Sequence, residues 1–426
     1  MRIRRLTAVA MLATVALPGC MFGKLREQQQ QIDALCVVSG TVSGDPANRN
    51  PRVILLLQPT PTGSPAWRLA DHFVSEGDGR WLMVAQPGDY ALAAFEDRSR
   101  DLVYQPGEPV LNVADDSRVH CAAGSRIADR DLRIPAQGGR AYIREVDIAA
   151  LRTHTPEEQL GISLAARTAA GTVTTLDDPR FSAEHVKSGM WTPYDFLLDA
   201  GPGVYFLEPY DAKRIPVLFV HGISGSPLNF RYLIEHLDRT RFQPWVYYYP
   251  SGARLGKVAD HLAQTMLELE VRHRVPQLIV VAHSMGGLVS RGYLLRRSED
   301  GTKIPLFITV STPWGGHDAA QMGVEYAPTV VRSWYDMAPG SDYLTSLFFS
   351  APGVRQALPV PHHLLFSFRK SGMGDSGDGV VTVASELRSE AQDDAVDIRG
   401  FDATHTGILE DPAAVALVNR LLGDVR

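Results

Sequence analysis

The stretch Gln277-Leu278-Ile279-Val280-Val281-Ala282-His283-Ser284-Met285-Gly286-Gly287 decides the fold. It opens as a short apolar run and continues through Leu288, Val289, Gly292 and Leu295 at helical spacing. Strand, Ser-x-Gly and helix therefore follow one another without a linker. So sharp a turn puts its central residue in a strained backbone and leaves room only for small neighbours. Ala282 stands two before Ser284 and Gly286 two after it. Glycine is usual at the first of these positions, and alanine is its tolerated variant. The turn lifts the Ser284 hydroxyl clear of the sheet, where a base can reach it. His283 points elsewhere by strand alternation and is expected to pack.

An earlier segment complements this turn. His221-Gly222-Ile223-Ser224-Gly225 follows the apolar run Val217-Leu218-Phe219-Val220. Attack of a hydroxyl on an acyl group places negative charge on the carbonyl oxygen. Two fixed backbone N–H groups stabilise that charge, and losing one costs about 3 kcal/mol of barrier. Met285, directly after the serine, is the first expected donor. Ile223, in the glycine-rich loop, is the second.

A serine hydroxyl is a weak nucleophile until a base takes its proton. Where a serine sits on such a turn, the acid and then the histidine follow it along the chain. Among thirteen histidines, His405 stands out. It lies in Phe401-Asp402-Ala403-Thr404-His405, between an expected strand at Ala395 to Ile398 and an expected final helix at Pro412 to Leu422. The acid is sought after the strand Leu364 to Phe368, in Gly374-Asp375-Ser376-Gly377-Asp378-Gly379. Asp378 is the first candidate and Asp375 the second, and the flanking glycines also fit either as a turn residue.

These motifs resemble the α/β-hydrolases of the bacterial lipase/esterase type, over residues from about 205 to the end. Ser311-Thr312-Pro313-Trp314-Gly315-Gly316-His317 is similar to a stretch that many lipases carry at that point. The catalytic domain of the inositol-deacylase-like hydrolases is also similar. The resemblance implies a serine carboxyl-ester hydrolase with a Ser284, His405 and Asp378 triad, needing no metal and no organic cofactor. The same triad serves thioesterases, amidases and phospholipid or inositol acyl hydrolases. A non-catalytic envelope lipoprotein on a hydrolase scaffold is the alternative outside enzymes.

The N-terminus is set apart from the fold. Arg2, Arg4 and Arg5 precede the apolar Leu6 to Leu17. That run is shorter than the about 20 residues that span a bilayer. It ends at Leu17-Pro18-Gly19-Cys20, which resembles the lipobox of bacterial lipoproteins. The resemblance implies acylation of Cys20 and, with Met21 following, an outer-membrane destination. Two cysteines remain, Cys36 and Cys121, and an even pair in an exported chain suggests a disulfide.

The 426 residues are 45% apolar and 21% charged, with net charge −6, which fits globular domains. No basic patch or arginine run points to nucleic acid. The expected organisation is a signal peptide at 1–19, a Gln-rich tether at 20–34, a β-sandwich module at 35–140 and an α/β-hydrolase domain at 141–426. Short apolar runs such as Val53 to Leu57 and Trp81 to Val84, with Gly- and Pro-rich turns, mark the sandwich. It is similar to modules appended to secreted carboxypeptidases and transport receptors, and its partner is unknown. An interval at about 318–353, rich in Tyr, Trp and Phe, reads as a cap forming an apolar acyl pocket, or equally as packed core.

Overall fold

The computed structural model describes residues 21–59, 67–113, 117–136, 168–297, 301–369 and 376–426. Cys20 and Asp375, both named above, lie outside the described residues.

Two sheets form the N-terminal module. The first pairs Cys36–Ser43 with Gly79–Ala85 and with the short strands Arg126–Ile127 and Leu132–Arg133. The second runs Trp67–Glu76, Pro51–Pro59, Gly88–Glu96 and Val110–Leu111, with Arg118–Cys121 also on Gly88–Glu96. Side chains alternate across each strand. Val38, Val42, Trp81 and Met83 of the first sheet meet Ile54, Leu56, Leu92 and Ala94 of the second in one core. The other face of the second sheet is buried as well. Val53, Leu55, Leu57, Ala93 and Phe95 pack with Leu267 and Val271, which belong to the C-terminal domain. A strand covered on both faces must be apolar throughout, which accounts for the unbroken run Val53 to Leu57. The buried pair His72 and Glu268 (3.1 Å) ties the same contact together. The module is therefore docked on its neighbour.

A disulfide joins Cys36 of the first sheet to Cys121 of the second, with Cα atoms 5.6 Å apart and a sequence separation of 85. Closing a loop of that length in the unfolded chain corresponds to about 4 to 5 kcal/mol in the chain-entropy treatment. Replacing both cysteines with serine should lower the sandwich's denaturant-unfolding stability by an amount of that order. A loss below about 1 kcal/mol, or two free thiols by intact mass, contradicts this role.

The C-terminal domain is built on an eight-stranded sheet. Its order is Ala169–Val173, Gly203–Phe206, Phe242–Tyr248, Ile215–Val220, Gln277–His283, Lys303–Val310, His362–Ser367 and Ala395–Phe401. The last six in this order are mutually parallel, and the first two run against them. Helices Leu255–His273 and Met285–Leu294 cover one face. Phe181, Phe196, Leu233 and helix Pro412–Asp424 cover the other. Both faces being covered, the central strands are apolar along their length, as at Val217 to Val220 and Leu278 to Ala282.

One expectation is corrected, and two segments gain detail. The tether is a helix over residues 21–33 and lies on the C-terminal domain. Its Leu25 and Gln28 are each 1% exposed, and the Gln28 amide donates to Asp195 (2.9 Å). Arg26 donates to the Pro328 carbonyl, Gln29 to the Val330 carbonyl, and Arg332 pairs with Asp33 at 2.6 Å. Residues 168–204, placed in the C-terminal domain by the sequence, supply its edge strand Ala169–Val173 and the helices Ala183–Trp191 and Pro193–Asp199. The aromatic residues of 318–353 do not all line a pocket. Tyr343, Leu344, Leu347 and Phe348 belong to the core against the helix that follows Ser284, whereas Tyr326 is 77% exposed.

Among the described residues no helix is long and apolar enough to cross a membrane.

Candidate active site

Ser284 caps helix Met285–Leu294 at φ 54° and ψ −132°. The parallel strands force this conformation. The Ser284 amide donates to the Val310 carbonyl of the next strand (2.8 Å), while the Ser284 carbonyl already accepts from Gly287 (2.9 Å). Small residues are needed around it. A Cβ on Gly286 would stand 2.2 Å from the Val220 carbonyl oxygen. A Cβ on Gly222 would stand 2.7 Å from the Ser284 Cβ, so the loop 221–225 lies directly against the serine.

His405 reaches the serine from the loop after strand Ala395–Phe401. Its Nε2 is 2.8 Å from Ser284 Oγ, and its Nδ1 is 2.6 Å from Asp378 Oδ2. Asp378 is 1% exposed and held from several sides. Its Oδ1 accepts the Val380 and Val381 amides at 2.9 and 2.7 Å, and its Oδ2 also accepts the Ser367 hydroxyl at 2.9 Å. A carboxylate accepting at Nδ1 makes that nitrogen the donor, which leaves Nε2 as the acceptor facing Ser284. Three residues that are far apart in the chain thus form one hydrogen-bonded line from hydroxyl to carboxylate.

The sheet order and the serine turn agree with a sequence profile described as the alpha/beta hydrolase fold, which matches residues 215–336. The C-terminal domain has the α/β-hydrolase fold. Among solved structures, the mature form of lipase BlEst2 from Bacillus licheniformis is similar at 17% identity and TM-score 0.41, covering 51% of this chain and 97% of that one. A lipase-esterase related protein from Clostridium acetobutylicum is similar at 12% identity and TM-score 0.36, covering 52% and 99%. No curated protein matches the chain by sequence.

Burial sets the electrostatics of the site. His283, which the strand alternation turned away from Ser284, has its Nε2 2.8 Å from the His405 carbonyl oxygen. Its burial, and then the nearby His405, push it down to about 3. Burial pushes His221 down to about 4. Both rings are neutral near pH 7 and support the loops that carry His405 and Ile223. Burial alone would raise Asp378, but the hydrogen bond and charge of His405, with further bonds from Glu386 and Val381, hold it well below the usual carboxylate range.

Met285 is the first residue of its helix, so its N–H has no intrahelical acceptor and is free to face a substrate oxygen. Ile223 lies one residue past Gly222 and packs at the edge of an apolar cluster made by Leu25, Met190, Trp191, Val331 and Trp334.

Three residues of the surrounding network were not found in the sequence: Ser367, Ser311 (Oγ atoms 2.6 Å apart) and Glu386. Ser311 was noted only as part of the lipase-like stretch, and nothing in the sequence marked any of the three as a partner of Asp378. Asp378, Glu386 and His405 also form a group of potential metal ligands within 4.8 Å of one another. Both nitrogens of His405 are already engaged, by Asp378 and Ser284, so a metal there would have to break that line.

Proposed function

We propose that this chain is a serine carboxyl-ester hydrolase of lipase/esterase type, acting on acyl esters or lipids at the cell envelope. The observation that carries the reading is the line from Ser284 Oγ through His405 to Asp378, at 2.8 and 2.6 Å. His405 Nε2 takes the Ser284 proton as the oxygen attacks the ester carbonyl. Asp378 fixes the tautomer and faces the imidazolium that forms. The N–H groups of Ile223 and Met285 receive the oxyanion, which is where such a site gains most. His405 then passes the proton to the leaving alcohol, and water deacylates Ser284 by the same base. The apolar cluster beside Ile223 supplies a surface for the acyl chain.

Hydrolysis of p-nitrophenyl esters over a series of acyl lengths, beside a matched thioester and amide, tests the bond preference. The expected result is the highest kcat/KM on an ester. A thioester or amide preferred over its matched ester would move the reading to those enzymes.

For location, the reading is a lipid anchor at Cys20, most simply in the outer membrane. The helix of residues 21–33 begins directly after that cysteine, and its Phe22 packs on Trp191 (5.7 Å), which packs on Trp334 (6.1 Å). An anchor there would hold the apolar cluster beside Ile223 close to the bilayer. Cys20→Ser should therefore release the protein from membranes without loss of activity on a soluble short ester, since each acyl methylene contributes about 0.8 kcal/mol of membrane affinity. Membrane fractionation checks this. Retention in the pellet after a salt wash would show that the folded part binds lipid by itself.

A further inference from the structure

A second carboxyl group is buried behind Asp378. Glu386 ends the short helix Val383–Glu386 and is 1% exposed. Its Oε2 accepts the Ser367 amide at 2.9 Å, and the Ser367 hydroxyl donates to Asp378 Oδ2, so one residue bridges the two acids. Its other oxygen, Oε1, is buried and has no donor facing it. A carboxylate oxygen of Glu386 and one of Asp378 lie within 4.8 Å of each other.

Two carboxylates this close do not both ionise readily in a buried site. The donors decide which one keeps the charge. Asp378 receives the Val380 and Val381 amides, the Ser367 hydroxyl and His405. Glu386 receives a single amide. The charge belongs on Asp378 and the proton on Glu386. With the proton on Oε1, the unpartnered oxygen becomes a donor to Asp378. Burial, then the contact with Asp378, push Glu386 from 4.5 up to about 10, in agreement with this placement. The other titratable groups around the pair are His405, His283 and His317, and burial lowers the last two.

We propose that Glu386 is a positioning residue for this site: it stays protonated and donates its carboxyl hydrogen to Asp378, so that His405 faces one negative charge spread over two carboxyl groups. The proposal rests on Ser284, His405 and Asp378 acting as described above. During the reaction the Ser284 proton moves to His405 Nε2 and Glu386 keeps its own.

The pH profile of kcat/KM on a soluble short ester tests it in Glu386→Gln and Glu386→Ala. The amide of the glutamine can donate to Asp378 and accept from Ser367. Glu386→Gln should stay within about threefold of the wild type and keep its acidic limb, which reports the protonation of the base. Glu386→Ala leaves Asp378 without that donor and concentrates its charge toward His405. Its acidic limb should move up by about half a unit to one unit, with kcat about tenfold lower near neutral pH. If Glu386 is instead ionised in the wild type, Glu386→Gln removes a charge and moves the acidic limb down by about a unit or more, which overturns the proposal. An alanine variant with wild-type rate and profile overturns it too.

Folding gives an independent readout. A carboxyl whose value is raised by folding stabilises fully below its unfolded value of 4.5 and loses that contribution as pH rises toward about 10. The Tm of Glu386→Gln should therefore gain on the wild type as pH rises from 5 to about 9. An unchanged difference across that range contradicts a buried proton. This readout stands even if the alanine variant does not fold. Fluorophosphonate labelling of Ser284→Ala in the same series separates the two failures. Labelling that persists there sinks the nucleophile assignment, whereas lost labelling with unmoved Glu386 variants sinks the Glu386 assignment alone.

Discussion

Ser284→Ala lowers kcat on esters by roughly four to six orders of magnitude and leaves the fold intact. Ser284 Oγ is the group that His405 Nε2 faces at 2.8 Å, and nothing in its place can take an acyl group. The fold should survive because the strained backbone is held by the Ser284 amide bond to Val310 and by the close approach of Gly286 to Val220, neither of which involves the hydroxyl. Steady-state rates beside a thermal unfolding curve check both halves. Activity within about tenfold of wild type would place the nucleophile elsewhere.

Asp378→Asn costs about four orders of magnitude in kcat, and more than Asp375→Asn. The asparagine oxygen can still accept the Val380 and Val381 amides, which turns its NH2 group toward His405 Nδ1. An NH2 there forces Nδ1 to accept and puts the proton on Nε2, facing Ser284. The base is then blocked while the geometry is kept. Rates for the two variants, measured on one ester, decide between the acids. A larger loss at Asp375 would show that the described contacts of Asp378 are structural.

How much of this was legible follows from what each residue needs as a partner. The central strands were plain because a doubly covered sheet leaves continuous apolar runs, and the serine turn was plain because only small residues fit around it. The segment after the glycine-rich loop 221–225 was less plain. Ser226 and Asn229 cap each other across Pro227–Phe230, which winds as a tighter turn before Arg231–Glu235. The Gln-rich stretch looked solvated because its polar partners, Asp195, Pro328 and Val330, lie far along the chain. The aromatic interval was ambiguous for another reason. Apolar side chains serve a pocket and a core alike, and only the bond from the Tyr343 hydroxyl to the Leu288 carbonyl (3.1 Å) shows which this one is. Glu386 was hidden because a glutamate in Val-Ala-Ser-Glu reads as a solvent-facing helix residue. Its role depends on Ser367 and Asp378, which approach it only in the folded sheet.

The most direct measurement is to treat the purified, full-length protein with a fluorophosphonate and map the adduct by peptide mass spectrometry. The account predicts a single phosphonylated residue, Ser284, formed at a rate that falls below the pH at which the base protonates. An adduct on another serine, or none on protein that hydrolyses esters, would contradict it.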